Sequence, residues 1–362
     1  MGRGGRAMGV PETMRAAVLT GPNRLEVREV PTPRPGPQDV LIRVDSCALC
    51  GSDVSLMAEP WAGQPPYGEF IPGHEYSGVV AAVGDTVDEY PVGTRVAVEA
   101  HYGCGRCLNC RRGDYPSCLN YGNRAKGHRA NGFTTNGGYA EYVANHINTV
   151  HAVPDAISLE EASLVTNAGC VLYGFETLGG FVVGEAVVVI GPGPVGLMAV
   201  QVASALAADQ VVLLGTRADR LGVGRAVGAD HVVHVRETDP VAAVRALTGG
   251  RGADVVVEAS GADNGPDLAL RLAKRMGRVL LLGFPHAPSP TDFRAMVINN
   301  IQVHSVRGES RANCARAISL MRQRKVDGRP LITHRFPLEA IAEGFRVFTG
   351  REGGAIKVLI RP

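Results

Sequence analysis

The stretch Val187-Val188-Val189-Ile190-Gly191-Pro192-Gly193-Pro194-Val195-Gly196 decides the fold of this chain. Four continuously apolar residues read as a buried strand, and Gly-x-Gly-x-x-Gly follows it directly into an apolar helical segment. Gly191, Gly193 and Gly196 permit a tight turn, close backbone approach to a pyrophosphate, and close helix–strand packing. Pro194 and Val195 open a helix whose N-terminus presents amide donors to the same phosphates. In a chain with 46 glycines the motif alone is weak, and a purely structural turn is the competing reading. Its setting argues for the functional one. Residues 211–215, 231–234, 254–258 and 278–283 read as short apolar strands, alternating with helical stretches at 195–207, 219–227, 240–247 and 266–276. Such alternation predicts an α/β fold with a parallel sheet covered on both faces. Gly228 and Gly277 stand where helix C-caps are expected. Residues 186–208 are long and apolar enough to suggest a membrane span, but Gly191-Pro-Gly-Pro194 breaks them in the middle.

Upstream the texture differs. Residues 15–19, 39–46, 76–83, 95–98 and 138–143 read as strands divided by Gly and Pro, so the first half is mostly β. A proline-spaced connector runs over 31–37, and residues 1–13 read as a flexible extension without the apolar core of a secretory signal. After residue 301 the sequence predicts a strand at 303–306, a helix at 312–324 and a terminal strand at 356–360. With 362 residues there is room for two cores. A net charge of +2 gives no broad basic field for nucleic acid or an anionic membrane.

An NAD-binding unit usually places an acid at the tip of its second strand, on the ribose hydroxyls. Here that tip reads Gly215-Thr216-Arg217. Gly215 leaves room for a 2′-phosphate, Thr216 can donate to it and Arg217 can pair with it, so NADP is favoured over NAD. Asp219 keeps NAD open but reads better as the N-cap of the next helix.

Eight cysteines without an export signal point to metal or catalysis rather than disulfides. Cys104, Cys107, Cys110 and Cys118 form C-x2-C-x2-C-x7-C, a spacing that surrounds a tetrahedral zinc with no open position. Such an ion would order the otherwise core-poor lobe 100–120. A second set is dispersed: Cys47-Ala-Leu-Cys50-Gly-Ser52-Asp53 follows a strand, and Gly73-His74-Glu75 precedes one. Cys47 with Cys50 also spells C-x-x-C, a redox pair where a helix begins at the second cysteine; no helix is evident at Cys50.

Taken together, Cys50-Gly-Ser-Asp53, Gly73-His-Glu75 with Gly78, the four-cysteine lobe, Gly138-Tyr-Ala-Glu-Tyr142, the glycine loop and Lys357-Val-Leu-Ile resemble the zinc-containing medium-chain alcohol and polyol dehydrogenases. The resemblance implies a GroES-like catalytic domain from residues 14–165 and 306–362, and a Rossmann doubly wound cofactor domain from 166–305. It implies two zinc ions per chain and hydride transfer between an alcohol and NAD(P). Cys50 and His74 would be catalytic zinc ligands, Glu75 a carboxylate able to reach the metal, and Asp53 the partner that orients His74. Ser52 would take the substrate's proton, and Lys357 would serve the cofactor. The family's remaining ligand falls at Asn167, a weaker neutral donor, with Cys170 as the alternative if that segment is helical. The family's frequent relay histidine corresponds to Ser55, leaving water, His101 or His128 for the proton's exit. Candidate substrate contacts are Ser52, Glu75, His128, Asn131 and Asn136 for a polyol, and Trp61, Tyr67 and Phe133 for an apolar alcohol. The competing readings are a zinc-free enone or quinone reductase and a non-catalytic cofactor sensor. A cytoplasmic homodimer or homotetramer, taking a small alcohol or carbonyl and no nucleic acid or membrane partner, completes the expectation.

Overall fold

The computed structural model describes residues 9–180, 182–285 and 287–362. The expected N-terminal extension lies outside the described residues through position 8, and Thr13 already opens the first strand. The chain divides into two compact units, Met1–Thr166 with Gly308–Ile318 and Ile332–Pro362, and Asn167–Arg307 with Ser319–Leu331.

In the first unit, β1 (Thr13–Gly21) and β2 (Arg24–Pro31) form an antiparallel hairpin. The strand β2 carries charged residues at alternate positions and escapes a reading based on apolar runs. Next come β3 (Asp39–Ala48), β4 (Glu75–Val83), β5 (Arg95–Val98), β6 (His101–Gly103), β7 (Arg129–Ala130), β8 (Tyr142–His146) and β9 (Val150–Ala152). The strand expected at 138–143 is displaced to β8. Gly138 lies so close to the Tyr76 ring that a Cβ would sit 2.6 Å from it, and residues 138–141 cross beneath the ring as a loop.

The second unit holds β10 (Ala186–Ile190), β11 (Gln210–Gly215), β12 (His231–His234), β13 (Ala253–Glu258), β14 (Ala273–Leu281) and β15 (Gln302–Ser305) in the order β12-β11-β10-β13-β14-β15. Every pairing is parallel. All five β10 residues are buried, because helices cover both faces of the sheet. The strand order reverses beside β10, so the glycine loop leaves β10 at the switch point where such sheets bind ligands. Helix Gly265–Leu272 is shorter than expected. Its predicted last turn becomes the start of β14, where Met276 takes φ 58° and the register shifts. Gly277 therefore lies within a strand and caps no helix. Gly228 does follow a helix end, with φ +114°. Residues 319–331 group with this unit, although the sequence reading placed them with the flanking domain. The buried amide of Gln201 holds them, donating to Asp327 O at 3.1 Å and accepting from Asp327 N at 2.6 Å.

The chain then returns to the first unit with β16 (Ile332–Pro337) and β17 (Lys357–Arg361). The sheet there runs β16-β17-β3-β4-β5-β9, with β8 also on β3. No helix among the described residues is long and apolar enough to cross a membrane.

Candidate active site

A helix does begin at Cys50, contrary to expectation. Cys50 is the N-cap of α1 (Gly51–Ala58), and its N–H donates to Asp53 Oδ2 at 3.0 Å. Cysteine is a poor cap by type, but Asp53 at the third helical position closes the turn from the other side. Its other oxygen, Oδ1, lies 3.2 Å from His74 Nδ1 at the mouth of β4. That contact leaves Nε2 facing Ser52 Oγ at 3.3 Å, and Ser52 Oγ also donates to Cys50 Sγ at 3.3 Å. Cys50, His74 and Glu75 present donor atoms within 4.8 Å of one another. Strand β3 delivers Cys50 and the adjoining β4 delivers His74 and Glu75, because the two strands pair through Ala48 and Glu75.

Burial lowers the His74 pKa, but the charges of Asp53 and Cys50 overcome it and hold the imidazole well above its ordinary value. The same charges that retain a proton between them would retain a cation. Thiolate, imidazole and carboxylate fit a zinc ion, which would take the place of that proton on Nε2.

The sequence reading missed one supporting group. Tyr139 donates to Asp53 Oδ2 at 2.7 Å, and burial followed by the Asp53 charge keeps its phenol neutral. Its place in Gly138-Tyr-Ala-Glu-Tyr142 was legible, but its role required the fold. Asp53→Asn is expected to lower zinc affinity and activity by about 10- to 100-fold, measured by zinc competition with a chelator and by turnover.

Lys357 lies beside the donor set, in contact with Glu75. It is 1% exposed, pairs with Glu75 Oε2, and donates to Leu49 O at 3.1 Å. Burial lowers its pKa, but the charges of Glu75 and Cys50 outweigh that and keep the ammonium protonated. A buried lysine so engaged holds Glu75 in place. Cys47 is fully buried, and burial pushes its thiol well up, which argues against a redox pair with Cys50.

Phe133 packs on His74 with ring centroids 4.4 Å apart, and also stacks on Trp61 at 5.5 Å and His101 at 5.6 Å. This aromatic wall adjoins the donor set. Two polar candidates are engaged with backbone groups. Asn131 donates to Glu99 O at 3.1 Å, and Asn136 Oδ1 accepts from Ile71 N at 3.1 Å. His128 Nδ1 meets Thr134 Oγ1 at 3.2 Å, Tyr67 is exposed, and Ser55 is exposed on α1.

The four lobe cysteines are free thiols whose sulfurs lie within 4.8 Å of one another. Cys107 caps α2 (Leu108–Arg111). Backbone N–H groups of Cys104, Cys110 and Asn120 donate to the sulfurs of Cys110, Cys107 and Cys118, and Asn120 Nδ2 donates to Cys104 Sγ at 3.2 Å. Burial raises the Cys104 pKa, but the Asn120 side-chain amide and the backbone N–H groups of Arg106 and Cys107 reverse that and bring it down to about 6. Gly103 has φ +70°, and a Cβ there would sit 2.6 Å from Cys110 Sγ. Sulfurs supplied with amide donors and closed on one point fit a structural zinc.

In the second unit, Gly191 has φ +101° and meets Ser260, and a Cβ on Gly196 would lie 1.9 Å from Gly191 O. Gly193 has no neighbour within 4 Å of an added Cβ and is the N-cap of helix Pro194–Ala205. Two glycines are thus required by packing, while the third leaves its backbone open for a phosphate. Gly215 ends β11, where a Cβ would sit 2.7 Å from Pro192, so no acidic side chain fits. Thr216 is exposed and Arg217 half-buried. Arg217, not Asp219, is the N-cap of helix Ala218–Ala226, and Asp219 lies in its first turn. Extended backbone at Arg217 sets that boundary, and it leaves Asp219 pointing from the exposed first turn. Asn167 begins this unit, buried on the helix Val165–Thr177, with Cys170 three residues along it.

The alcohol dehydrogenase GroES-like domain family matches residues 36–155, and the zinc-binding dehydrogenase family matches residues 194–323. An L-threonine 3-dehydrogenase of Bacillus licheniformis is 34% identical over 339 residues, covering 92% of this chain and 94% of its own. A sorbitol dehydrogenase of Bacillus subtilis is 29% identical, with 98% of each chain covered. A Sinorhizobium meliloti protein solved with bound NADP superimposes with a TM-score of 0.88 at 28% identity, covering 97% of this chain and all of that one.

Proposed function

This chain belongs to the zinc-type medium-chain dehydrogenases, oxidoreductases that act on CH–OH donors with NAD or NADP, and on that premise we propose that it oxidises a small polar secondary alcohol or polyol with NADP. The observation that carries the reading is Ser52 Oγ held 3.3 Å from both Cys50 Sγ and His74 Nε2, within the donor set. In this proposal each chain holds two zinc ions, one at Cys50, His74 and Glu75 and one at the four lobe cysteines, with Asn167 or a water completing the first.

When bound, zinc supplies a Lewis acid that lowers the alcohol's pKa, and the nicotinamide supplies the hydride acceptor. The chain's own residues do the rest. Ser52 Oγ, which is partly exposed, would accept the substrate hydroxyl's proton as its own proton passes on to water. Asp53, fixed by Tyr139 and by the Cys50 N–H, keeps the proton of His74 on Nδ1 and so frees Nε2. Lys357 holds Glu75 in reserve beside the ligand set. Phe133, backed by Trp61, covers His74 and excludes water from that side. The open backbone of Gly193 would receive the pyrophosphate, and Thr216 with Arg217 would receive the 2′-phosphate.

Turnover of alcohols, polyols and sugar alcohols with NAD and NADP side by side tests the reading. No turnover across that panel by zinc-loaded protein would favour a cofactor sensor, and activity without zinc would favour an enone or quinone reductase. The relatives acting on threonine and sorbitol support a polar substrate. The Phe133–Trp61 wall favours the second reading, an apolar or aromatic alcohol. Arg217→Ala is expected to weaken NADP by about 10- to 100-fold while leaving NAD nearly unchanged, read from the two KM values.

The exposed edge strand β15, with Val303, beside Phe293, Val297 and Ile298 on helix Phe293–Ile298, supports assembly through the cofactor unit as a homodimer or homotetramer. Free thiols throughout support a reducing, cytoplasmic setting.

A further inference from the structure

A separate group of metal-competent side chains converges in the first unit. Glu99 follows β5, His151 is the middle residue of β9, and Cys314 lies in the first turn of helix Asn313–Arg322. Ala97 pairs with His151 across the two strands, so Glu99, two residues on, projects from the same face. Glu99 and Cys314 are 2% and 1% exposed, and His151 is half-buried. A carboxylate oxygen, an imidazole nitrogen and a sulfur here lie within 4.8 Å of one another, with His151 Nε2 3.0 Å from Glu99 Oε2.

Three features set this group apart from an ordinary buried hydrogen bond. Its donors come from three chain segments and include a thiol, which contributes little to a hydrogen-bonded pair but strongly to a borderline-soft ion. Tyr115 donates to the other carboxylate oxygen of Glu99, the orienting contact that ligating carboxylates commonly receive. Glu309, itself buried, adds a second carboxylate near Glu99, so acidic groups are concentrated around the cluster. Zinc bonds of about 2.0–2.3 Å place tetrahedral donors about 3.5 Å apart, which small side-chain rotations reach from here.

We propose that Glu99, His151 and Cys314 form a zinc-binding site distinct from both sets above. The ion would join β5, β9 and the helix Asn313–Arg322, and through Tyr115 it would anchor the cysteine lobe to the sheet. Three protein donors leave the fourth position to water.

The test is a zinc count per chain in full-length protein, loaded with zinc and desalted, for wild type, Cys314→Ala and His151→Gln. The glutamine keeps an amide donor for Glu99 but removes the imidazole, so a merely hydrogen-bonded cluster would show no change in metal. Each variant is expected to carry one zinc fewer than wild type, whatever the wild-type total. A wild-type count in either folded variant overturns the site, and if Cys314→Ala does not fold, His151→Gln decides alone. Because the readout is a difference, it is independent of the active-site reading. An unchanged count in Cys50→Ala would sink that reading and leave this one standing.

Discussion

Cys50→Ala is expected to lose one zinc per chain and to lower kcat/KM by at least about a thousand-fold, while the fold survives. The sulfur is one of three donors that the pairing of β3 with β4 brings within 4.8 Å, and it also accepts from Ser52 Oγ. Removing it takes away a proposed metal ligand and a fixed partner of the Ser52 hydroxyl together. Lewis-acid stabilisation alone is worth several kcal/mol, and each 1.36 kcal/mol is tenfold in rate. Stability should change little, because Cys50 is half-buried and the α1 cap is closed by the Asp53 carboxylate, which still accepts the backbone N–H at position 50. Ser52→Ala separates the two roles. It should keep the zinc and lower kcat by about 10²- to 10⁴-fold. Metal analysis and steady-state kinetics on both variants check the pair, and full activity with full zinc in Cys50→Ala would refute the assignment.

Lys357→Met is expected to be the most destabilising single change near the site. Lys357 and Glu75 are 1% and 2% exposed and face each other as a buried ion pair. Removing one partner strands the other charge, which typically costs about 3–5 kcal/mol. For a domain of this size that corresponds to a fall in Tm of about 10 °C. The double variant Lys357→Met with Glu75→Gln should regain at least half of that loss, since no buried charge remains. Thermal unfolding of the three variants distinguishes this from a cofactor role for Lys357, in which the single variant would raise the dinucleotide KM and leave Tm unchanged.

Much of the fold was legible because two periodicities were strong. The apolar run at 187–190 must be buried on both faces, and the glycine loop that follows has only one common context, so the parallel unit could be read almost strand by strand. Elements whose burial is one-sided were harder. The strand Arg24–Pro31 interleaves charges, and helix Ile341–Gly350 carries Gly344 within it and runs into Gly350, Gly353 and Gly354, so neither stood out. At 273–277 local helix preference lost to strand pairing with β13, with Met276 absorbing the bulge.

The sequence by itself determined which chemistry the chain carries. Cysteine spacing, the glycine loop and the residues around Cys50 and His74 name their ligands by type and order, and those are local properties. Only the tertiary structure decided which neighbours act on them. It paired Lys357 with Glu75, supplied Tyr139 to Asp53, placed Phe133 over His74, and brought Glu99, His151 and Cys314 together from segments up to about 200 residues apart. Pairings of that kind depend on strand register and packing between distant segments, and no local pattern encodes them.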